Sequence, residues 1–282
     1  MATDSSKAEQ YKAGVAAQFN TISASHRKWW PILKEAGQEV SDVLIARAVV
    51  VPGNRVLDIG TGVGEPALTA ARVVGDNGHV IGIDIAPEML EIAIERAMVA
   101  GAGNVRFQVG DAEELNFAPA SFDAVISRNA FQFIGNLSRA LGGVWQILDF
   151  NGRLAFSFIG APSKVPTRAL VLQALEDVLG PSKLGLLPRK DQDRDPAYLK
   201  QLIAAAGFVD VHTEYVTCPN TYPNADAFVQ MSLDLNVVAT ANPGAREALH
   251  EHMISEIHRY PIDENGHLTF ENEFLVCTAL RP

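Results

Sequence analysis

A glycine-rich loop follows the first apolar run that is typical of a buried strand. Residues 58–64 are Asp-Ile-Gly-Thr-Gly-Val-Gly, and a predicted helix comes directly after them. Glycine has no Cβ atom, so the backbone of such a loop lets a ligand approach closely. In open α/β sheets, ligands bind at the carboxyl ends of the parallel strands. The loop alone is a weak signal, because a tight turn without a ligand has a similar composition.

Two carboxylates follow at the ends of the next two predicted strands. Asp84 comes about 20 residues after the loop, where a carboxylate accepts hydrogen bonds from the ribose hydroxyls of a nucleoside. It also suits the N-cap of the helix that starts near Pro87, and the two roles are compatible. Asp111, within Gly110-Asp111-Ala112, is placed to accept from an adenine amino group, or else is a solvated loop residue. Together the three sites indicate a ligand that contains adenosine.

The spacing of the glycines separates two kinds of adenosine cofactor. A nicotinamide dinucleotide favours G-x-G-x-x-G, with its pyrophosphate on the helix N-terminus. This chain has G-x-G-x-G, with Asp58 two residues before the first glycine. A carboxylate is unfavourable beside a pyrophosphate and favourable beside an amine or a sulfonium. None of the five tyrosines has lysine four residues later, as a reductase pair would need. An NAD(P)-dependent oxidoreductase is therefore an alternative and not the leading hypothesis.

Alternating strands and helices must position these residues. Apolar runs bounded by glycine, proline and asparagine predict seven strands, at 55–59, 79–85, 105–109, 122–127, 153–159, 208–218 and 268–281. Predicted helices follow the first, second and fourth of these strands, and such alternation is typical of a parallel sheet covered on both faces. We therefore predict an α/β fold, a Rossmann-like, mostly parallel sheet with helices on both faces and a helical lid.

The chain outside the predicted sheet divides into three helical parts. Pro31 lies in the N-terminal part and is predicted to break any helix that crosses it. The organisation we expect is an N-terminal helical cover at 1–49, a cofactor-binding core at 50–160, a helical insertion at 161–204, and a C-terminal part of the sheet at 205–282 with a lid at about 219–262.

Four stretches together resemble a known family. They are VLDIGTGVGEPAL at 56–68, VIGIDIAPEML at 80–90, GDAE at 110–113 and SFDAVI at 121–126. In combination they are similar to the class I S-adenosylmethionine-dependent methyltransferases, and most of all to the ubiquinone/menaquinone-biosynthesis type and its small-molecule relatives. The resemblance covers roughly residues 27–160, with weaker similarity at 195–216 and 268–281. It implies seven strands with the last one antiparallel, and S-adenosyl-L-methionine as cofactor.

The resemblance also implies roles for individual residues on the cofactor side. Asp58, Gly60 and Gly62 would line the methionine part, and Gly64 would let the helix pack closely. Asp84 would hold the ribose and Asp111 the adenine edge. The full set of expected cofactor-binding residues is Asp58, Gly60, Thr61, Gly62, Gly64, Asp84, Ile85, Met89, Gly110, Asp111, Ala112, Ser127 and Arg128.

The acceptor side has no recognisable motif. In-line methyl transfer needs alignment and exclusion of water, and a general base helps when the acceptor is a hydroxyl or an acidic carbon. We expect His26 to be that base, with a surface or interface histidine as the alternative. The expected acceptor-binding residues, each of which is also compatible with ordinary core packing, are Trp29, Trp30, Phe131, Gln132, Tyr222, Phe228 and Met231.

Two arrangements resemble metal sites but fail on spacing. His250 and His252 lie two residues apart on a predicted helix, so they point to different faces. Asp191, Asp193 and Asp195 are spaced like the start of a calcium loop, but Pro196 stands where that loop needs glycine. We expect Asp195 to cap a helix and we predict no metal.

Composition limits the remaining function classes. The chain has 282 residues, with 33 acidic against 23 basic ones and a net charge of −10, which disfavours a nucleic-acid surface. No apolar run is long enough for a membrane span or a signal peptide, and the two cysteines are expected to be reduced thiols of a cytoplasmic protein. A single bridge in a secreted protein is the alternative, and a homodimer is compatible with the sequence.

The leading hypothesis is therefore an enzyme of small-molecule biosynthesis. It would transfer a methyl group from S-adenosyl-L-methionine to an oxygen or carbon of a small, largely apolar acceptor of the quinone, phenol or natural-product type. An alternative keeps the cofactor but not the transfer, as in a protein that catalyses a cyclisation.

Overall fold

A computed structural model describes residues 4–180 and 195–282. Its sheet has seven strands: β1 (Arg55–Ile59), β2 (His79–Asp84), β3 (Val105–Val109), β4 (Phe122–Arg128), β5 (Leu148–Ile159), β6 (Val209–Tyr222) and β7 (Leu268–Leu280). Their spatial order is β3-β2-β1-β4-β5-β7-β6. Strands β1 to β5 pair in parallel, and β7 runs antiparallel to both β5 and β6. The predicted mostly parallel, seven-stranded fold is confirmed.

Helices cover both faces of the sheet. In the described residues they are α1 (Asp4–Thr21), α2 (Ser23–Arg47), α3 (Ala67–Val74), α4 (Pro87–Ala100), α5 (Leu137–Ile147), α6 (Pro166–Leu179), α7 (Pro196–Ala205), α8 (Ala225–Asp234), α9 (Val237–Ala241) and α10 (Arg246–Ile257). Helices α5 and α7 bury apolar residues on one face of the sheet, and α2 and α3 on the other. The strand order reverses between β1 and β4, and ligands bind beside such a reversal in open α/β sheets.

A third apolar cluster lies away from the parallel strands. It joins α6, α8, α9 and α10 to the ends of β6 and β7, and the middle of α2 packs against it. We call it the cover core. Its centre is aromatic: Phe228 lies 4.9 Å from Tyr222 and 4.6 Å from Phe270, measured between ring centroids. The cover therefore has a packed interior of its own.

Three details differ from the sequence prediction, and one of them is that β5 begins at Leu148 instead of residue 153. Helix α2 runs without interruption from Ser23 to Arg47 with Pro31 inside it, so the predicted break at this proline is wrong. An interior proline costs a helix about 3 kcal/mol. Burial of neighbouring apolar residues against the cover core offsets that cost, because Trp29, Ile32 and Leu33 all pack there. Strand β6 also continues to Tyr222, beyond the predicted end at 218.

Local sequence signals set several element ends as predicted. Asp195 caps α7, since its Oδ1 accepts from the backbone N–H of Ala197 at 3.0 Å.

The calcium-like spacing at Asp191 and Asp193 lies outside the described residues. Both cysteines, Cys218 and Cys277, are free and buried. Within the described ranges, no helix combines the length and apolar character that crossing a membrane requires.

Candidate functional site

A cavity of about 340 Å³ opens at the carboxyl ends of β1, β2, β3 and β4. We call it the strand-end cavity. Ten of the thirteen expected cofactor-binding residues line it: Gly60, Thr61, Gly62, Asp84, Ile85, Met89, Gly110, Asp111, Ala112 and Arg128. Residues in four separate segments of the sequence thus meet at one edge of the sheet, because parallel strands end on the same side.

The glycine-rich loop is held in one conformation by the strand next to it. The backbone N–H groups of Gly60 and Thr61 both donate to the carbonyl of Ile83, at 2.8 and 3.0 Å. Gly60 has φ +68°, and a Cβ atom at this position would overlap the Cβ of Ala130. Glycine is therefore required at residue 60 for both its backbone conformation and its lack of a side chain.

Asp84 joins the loop to the next helix. Its Oδ2 accepts from the backbone N–H of Gly62 at 2.8 Å, and its Oδ1 accepts from that of Ala86 at 2.9 Å. Burial raises the pKa of this carboxyl group. A carboxylate oxygen has more than one lone pair, so these two bonds leave acceptor capacity toward the cavity. The helix-capping role and a ligand-binding role are thus compatible in the structure.

Two buried polar atoms behind the loop have no hydrogen-bond partner. Asp58 is fully buried; its Oδ2 accepts from the N–H of Ala67 at 3.0 Å, but its Oδ1 is unpaired, as is the Oγ1 of Thr61. Burial raises the pKa of Asp58 to about 7. Buried acceptors without partners are rare and call for an explanation. A cationic group with N–H donors would pair with the Oδ1 of Asp58, so the residues present fit the amino acid end of S-adenosyl-L-methionine.

Arg128 brings a partly buried positive charge to the same end of the cavity. Its Nη1 donates to the carbonyl of Gly37 at 2.8 Å and to the Oγ of Ser41 at 2.9 Å. Burial lowers its pKa, while the carboxylates of Glu65 and Asp58 act in the opposite direction. The side chain thus ties α2 to the end of β4 and places a cation beside two acidic groups.

Three expected cofactor residues do not line the cavity. Asp58 lies behind the loop, and Gly64 packs with φ +99° beside Ala93 and Leu68 of neighbouring helices. Ser127 is buried and its Oγ donates to the carbonyl of Ile59 at 2.7 Å, which joins β4 to β1. These residues shape the site from behind its wall.

Asp111 has a charged partner on α1 that could not be expected from the sequence. The Nζ of Lys12, on α1, lies 2.6 Å from Asp111 Oδ2 and 3.2 Å from Glu113 Oε2. All three side chains line the cavity. Helix α1 therefore closes one side of the site through charge pairing, and only the tertiary structure brings residue 12 to residue 111.

His26 also lines the cavity. Its Nδ1 lies 3.0 Å from the carbonyl oxygen of Ile22. Since a carbonyl only accepts, Nδ1 carries the proton and Nε2 keeps a lone pair in the neutral ring. Burial lowers the pKa of His26, and the positive charge of Arg128 acts in the same direction. A neutral imidazole with a fixed tautomer can take up a proton at Nε2.

Of the seven expected acceptor-binding residues, only Gln132 lines the cavity. Trp29 donates from Nε1 to Asp234 at 2.8 Å, and Trp30 lies beneath the guanidinium of Arg96. Phe131 stacks on Phe156 in the main core. The remaining three belong to the cover core: Tyr222, Phe228 and Met231.

Other residues form the apolar wall of the cavity. Val15 and Phe19 of α1 lie four residues apart, and the ring of Phe19 meets that of Phe133 edge-on at 5.2 Å. Ile134 and Ile159 complete this wall. The spacing of Val15 and Phe19 on one helical face was the available signal.

The lid histidines are tied to acidic residues of other helices. His250 Nε2 lies 2.8 Å from Asp226 Oδ1, and His252 Nε2 lies 3.2 Å from Asp177 Oδ2. The two rings thus have different partners on α8 and α6. In residues 4–180 and 195–282, no three His, Cys, Asp or Glu side chains are grouped so that they could hold a metal.

Comparisons with known proteins find similarity to methyltransferases. Residues 51–185 match a family model described as a methyltransferase domain. The chain is 37% identical over 148 residues to aklanonic acid methyltransferase DauC of Streptomyces sp. strain C5. This alignment covers 52% of this chain and 66% of that protein. It is 32% identical over 170 residues to the ubiquinone/menaquinone biosynthesis C-methyltransferase UbiE of Vibrio campbellii. This alignment covers 56% of this chain and 65% of that protein.

A solved structure shares the fold across more of the chain. Phosphoethanolamine N-methyltransferase 2 of Haemonchus contortus, in complex with S-adenosyl-L-methionine, aligns with a TM-score of 0.59 at 20% identity, covering 93% of this chain and 57% of that one. The chain spans just under two thirds of the length of the two curated relatives. Both of these curated relatives are named as methyltransferases, so their similarity favours neither the oxidoreductase nor the cyclisation alternative.

Proposed function

We propose that this chain, which belongs to the class I S-adenosylmethionine-dependent methyltransferases, transfers a methyl group to an oxygen or carbon of a small, largely apolar molecule. The observation that carries the proposal is the strand-end cavity, where unpaired buried acceptors lie behind a G-x-G-x-G loop and beside an apolar wall. Relatives named for aklanonic acid and for quinone biosynthesis support an acceptor of the quinone, phenol or natural-product type.

The cofactor side follows from the four strand ends. Asp84 would accept from the ribose hydroxyls, and Asp111 with Ala112 would contact the adenine edge. Asp58 and Thr61 would accept from the cationic amino group, and Arg128 lies near that end. When bound, the cofactor supplies a methyl group on a positively charged sulfur, and buried carboxylates nearby favour that charge.

We propose that His26 is the general base. Its Nδ1 is committed to the carbonyl of Ile22, so Nε2 would take the proton from an acceptor hydroxyl as the methyl group moves from sulfur to that oxygen. When bound, the cofactor would supply the methyl group from its sulfonium and would leave as a neutral thioether. Helices α1 and α2 would exclude water from this step through Val15, Phe19 and His26.

Ligand-dependent melting tests the cofactor assignment. S-adenosyl-L-methionine or S-adenosylhomocysteine at about 100 times Kd should stabilise the protein by about 2.7 kcal/mol, and NAD(P) should not. Differential scanning calorimetry with each ligand measures this. Stabilisation by NAD(P) alone would overturn the proposal.

Substitution of His26 tests the base. With tritiated S-adenosyl-L-methionine and a panel of phenols, naphthols and hydroquinones, His26→Ala should lower kcat by roughly 10²–10⁴-fold while cofactor affinity is retained. His79→Ala, an exposed histidine at the start of β2, is the matched control. Full activity of His26→Ala would remove His26 from the reaction.

We further propose that the protein works in the cytoplasm in a biosynthetic reaction, on a small-molecule acceptor and without nucleic acid. The net charge of −10 and the two buried thiols support this assignment.

A further inference from the structure

Gln132 is a buried amide on the wall of the strand-end cavity. It lies in the short helix Phe131–Phe133 that follows β4, and its side chain is only 2% exposed. Its Nε2 donates to the backbone carbonyl of Asn129 at 2.8 Å. Its Oε1 is buried and has no hydrogen-bond partner among the described residues. One half of the amide is thus satisfied by the protein and the other half is not.

The orientation of this amide is fixed by its partner. A carbonyl oxygen only accepts, so the NH₂ group of Gln132 must face Asn129 and the oxygen must face away from it. Rotating the amide by 180° would set two oxygens against each other and leave the donor unpaired. Gln132 therefore offers an acceptor, not a donor, on its free side.

Asn129 is itself held in place by β5. It has φ +59°, a conformation that asparagine tolerates better than most residues. Its backbone N–H donates to the carbonyl of Ser157 at 3.1 Å, and the Oγ of Ser157 donates to its Oδ1 at 2.9 Å. Ser157 is fully buried in the sheet. The unpaired oxygen of Gln132 is thus the end of a rigid, preorganised network.

An unsatisfied buried acceptor is costly, by about 1–3 kcal/mol. The other unpaired acceptors at this site, Asp58 Oδ1 and Thr61 Oγ1, lie at the glycine-rich loop, where the cofactor is expected. Gln132 lies on a different segment, next to Phe133 and Ile134 of the apolar wall. Because Gln132 lines the cavity, we expect a ligand on the apolar side of the cavity to complete the hydrogen bonding of this oxygen.

We propose that Gln132 determines acceptor specificity by accepting a hydrogen bond from a donor on the substrate. The substrate class is an apolar ring that carries a hydroxyl or an N–H, such as a phenol, a naphthol or a hydroquinone, and not the corresponding quinone. This inference rests on the proposed function, because it places the acceptor molecule beside the cofactor. A site that pairs with a substrate hydroxyl discriminates against isosteres that lack it.

Binding of two matched probes tests the proposal. With the wild-type protein saturated with S-adenosylhomocysteine, 1-naphthol should bind at least about 10-fold more tightly than 1-fluoronaphthalene, which has nearly the same shape but no donor. Gln132→Met is similar in length and has no amide oxygen, so it should bind both probes equally, with the affinity for 1-fluoronaphthalene retained. Calorimetric or fluorescence titration measures both.

The possible results separate this inference from the proposed function. Equal affinities of the wild-type protein for the two probes, or no binding of either, would overturn the role of Gln132 even if the variant failed to fold. The same preference in Gln132→Met would overturn it as well. A loss of affinity for S-adenosyl-L-methionine but not for S-adenosylhomocysteine in Gln132→Met would assign the oxygen to the cofactor's methyl group instead. Failure of the wild-type protein to bind either cofactor form would contradict the proposed function itself.

Discussion

The strand-end cavity and the cover core use their side chains in opposite ways. In the cover core, aromatic rings pack on one another, and even its neighbouring polar groups are paired: Asn272 donates to Asn220 and accepts from Thr167. At the cavity, the buried Oε1 of Gln132 on its wall and the buried Oδ1 of Asp58 behind the glycine-rich loop have no hydrogen-bond partner within the described residues. Paired polar groups and packed rings stabilise the fold, whereas a buried acceptor without a partner is costly unless a ligand pairs with it.

The strand-end cavity and the lid also differ in which part of the chain forms them. Every cavity-lining residue in the described part of the chain lies at or before Ile159, and none comes from the lid at 219–262. The aromatic side chains of the lid are used in its own core. The N-terminal helices, and not the C-terminal lid, therefore form the cover over the site in this structure.

The largest expected effect is on the cover core. Phe228→Ala removes a fully buried ring and should lower the free energy of unfolding by about 3–5 kcal/mol. The folded protein should still bind S-adenosylhomocysteine with the same Kd, because Phe228 does not line the cavity. Chemical denaturation and calorimetric titration measure the two quantities. Phe150→Ala, whose ring is mostly exposed, is the control, and a large loss of cofactor affinity in Phe228→Ala would break the separation of the two regions.

Gly60→Ala should act on the cavity instead. The added Cβ meets Ala130 and the left-handed backbone is strained, so the free energy of unfolding should fall by about 2–5 kcal/mol and cofactor binding should be lost. Gly53→Ala has a similar positive φ with open space around its Cβ, and should lose only about 1–2 kcal/mol with cofactor affinity intact. Titration with S-adenosylhomocysteine compares them, and equal behaviour of the two variants would contradict a specific need for glycine at residue 60.

Asp84→Ala should weaken binding of S-adenosyl-L-methionine by about 1–3 kcal/mol, through the loss of charge-assisted hydrogen bonds to the ribose. Glu91→Ala, an exposed acidic residue on α4, controls for the change in net charge. Isothermal titration calorimetry gives the two affinities. An unchanged Kd for Asp84→Ala would place the ribose elsewhere.

The smallest effect is a pH dependence at Asp58. Burial raises its pKa to about 7, so about half of the ligand-free molecules carry the proton at pH 7. The positive amino group of the cofactor favours the ionised form, so binding should release roughly half a proton at pH 7 and weaken as the pH falls below 7. Titrations in buffers of different ionisation enthalpy measure the release.

The isosteric variant Asp58→Asn provides the control for that measurement, since it should show no release from this group. The same raised pKa affects the stability of the ligand-free protein. The folded state holds this proton more tightly than the unfolded one, so the contribution of Asp58 to stability is fully present below about pH 4 and is lost as the pH rises through about 7. Proton release that is unchanged in Asp58→Asn would assign the titrating group elsewhere.

Much of the cofactor side could be predicted because its signals are local. The loop at 58–64, Asp84 and Asp111 each stand at the end of an apolar run, and the rule that parallel strands end together brings them to one edge. The acceptor side could not be predicted in the same way. A buried aromatic residue such as Phe228 has the same sequence signature whether it packs in a core or lines a cavity.

Pro31 shows the same limit for secondary structure. Its effect on an isolated helix is clear from the residue alone, but the packing of Trp29 and Leu33 against the cover core outweighs it. Lys12 is a further example, since nothing near it in the sequence indicates a partner 99 residues away.

The sequence by itself determined the sheet, the glycine-rich loop and the carboxylates at the strand ends, because each depends on residues close together in the chain or on a general rule of parallel sheets. Only the tertiary structure decided which helices cover the cavity, which aromatic side chains are core, and which polar atoms lack partners. The physical reason is that burial and hydrogen-bond satisfaction depend on contacts between distant segments, such as those that fix Asn129 against Ser157 and leave Gln132 Oε1 unpaired.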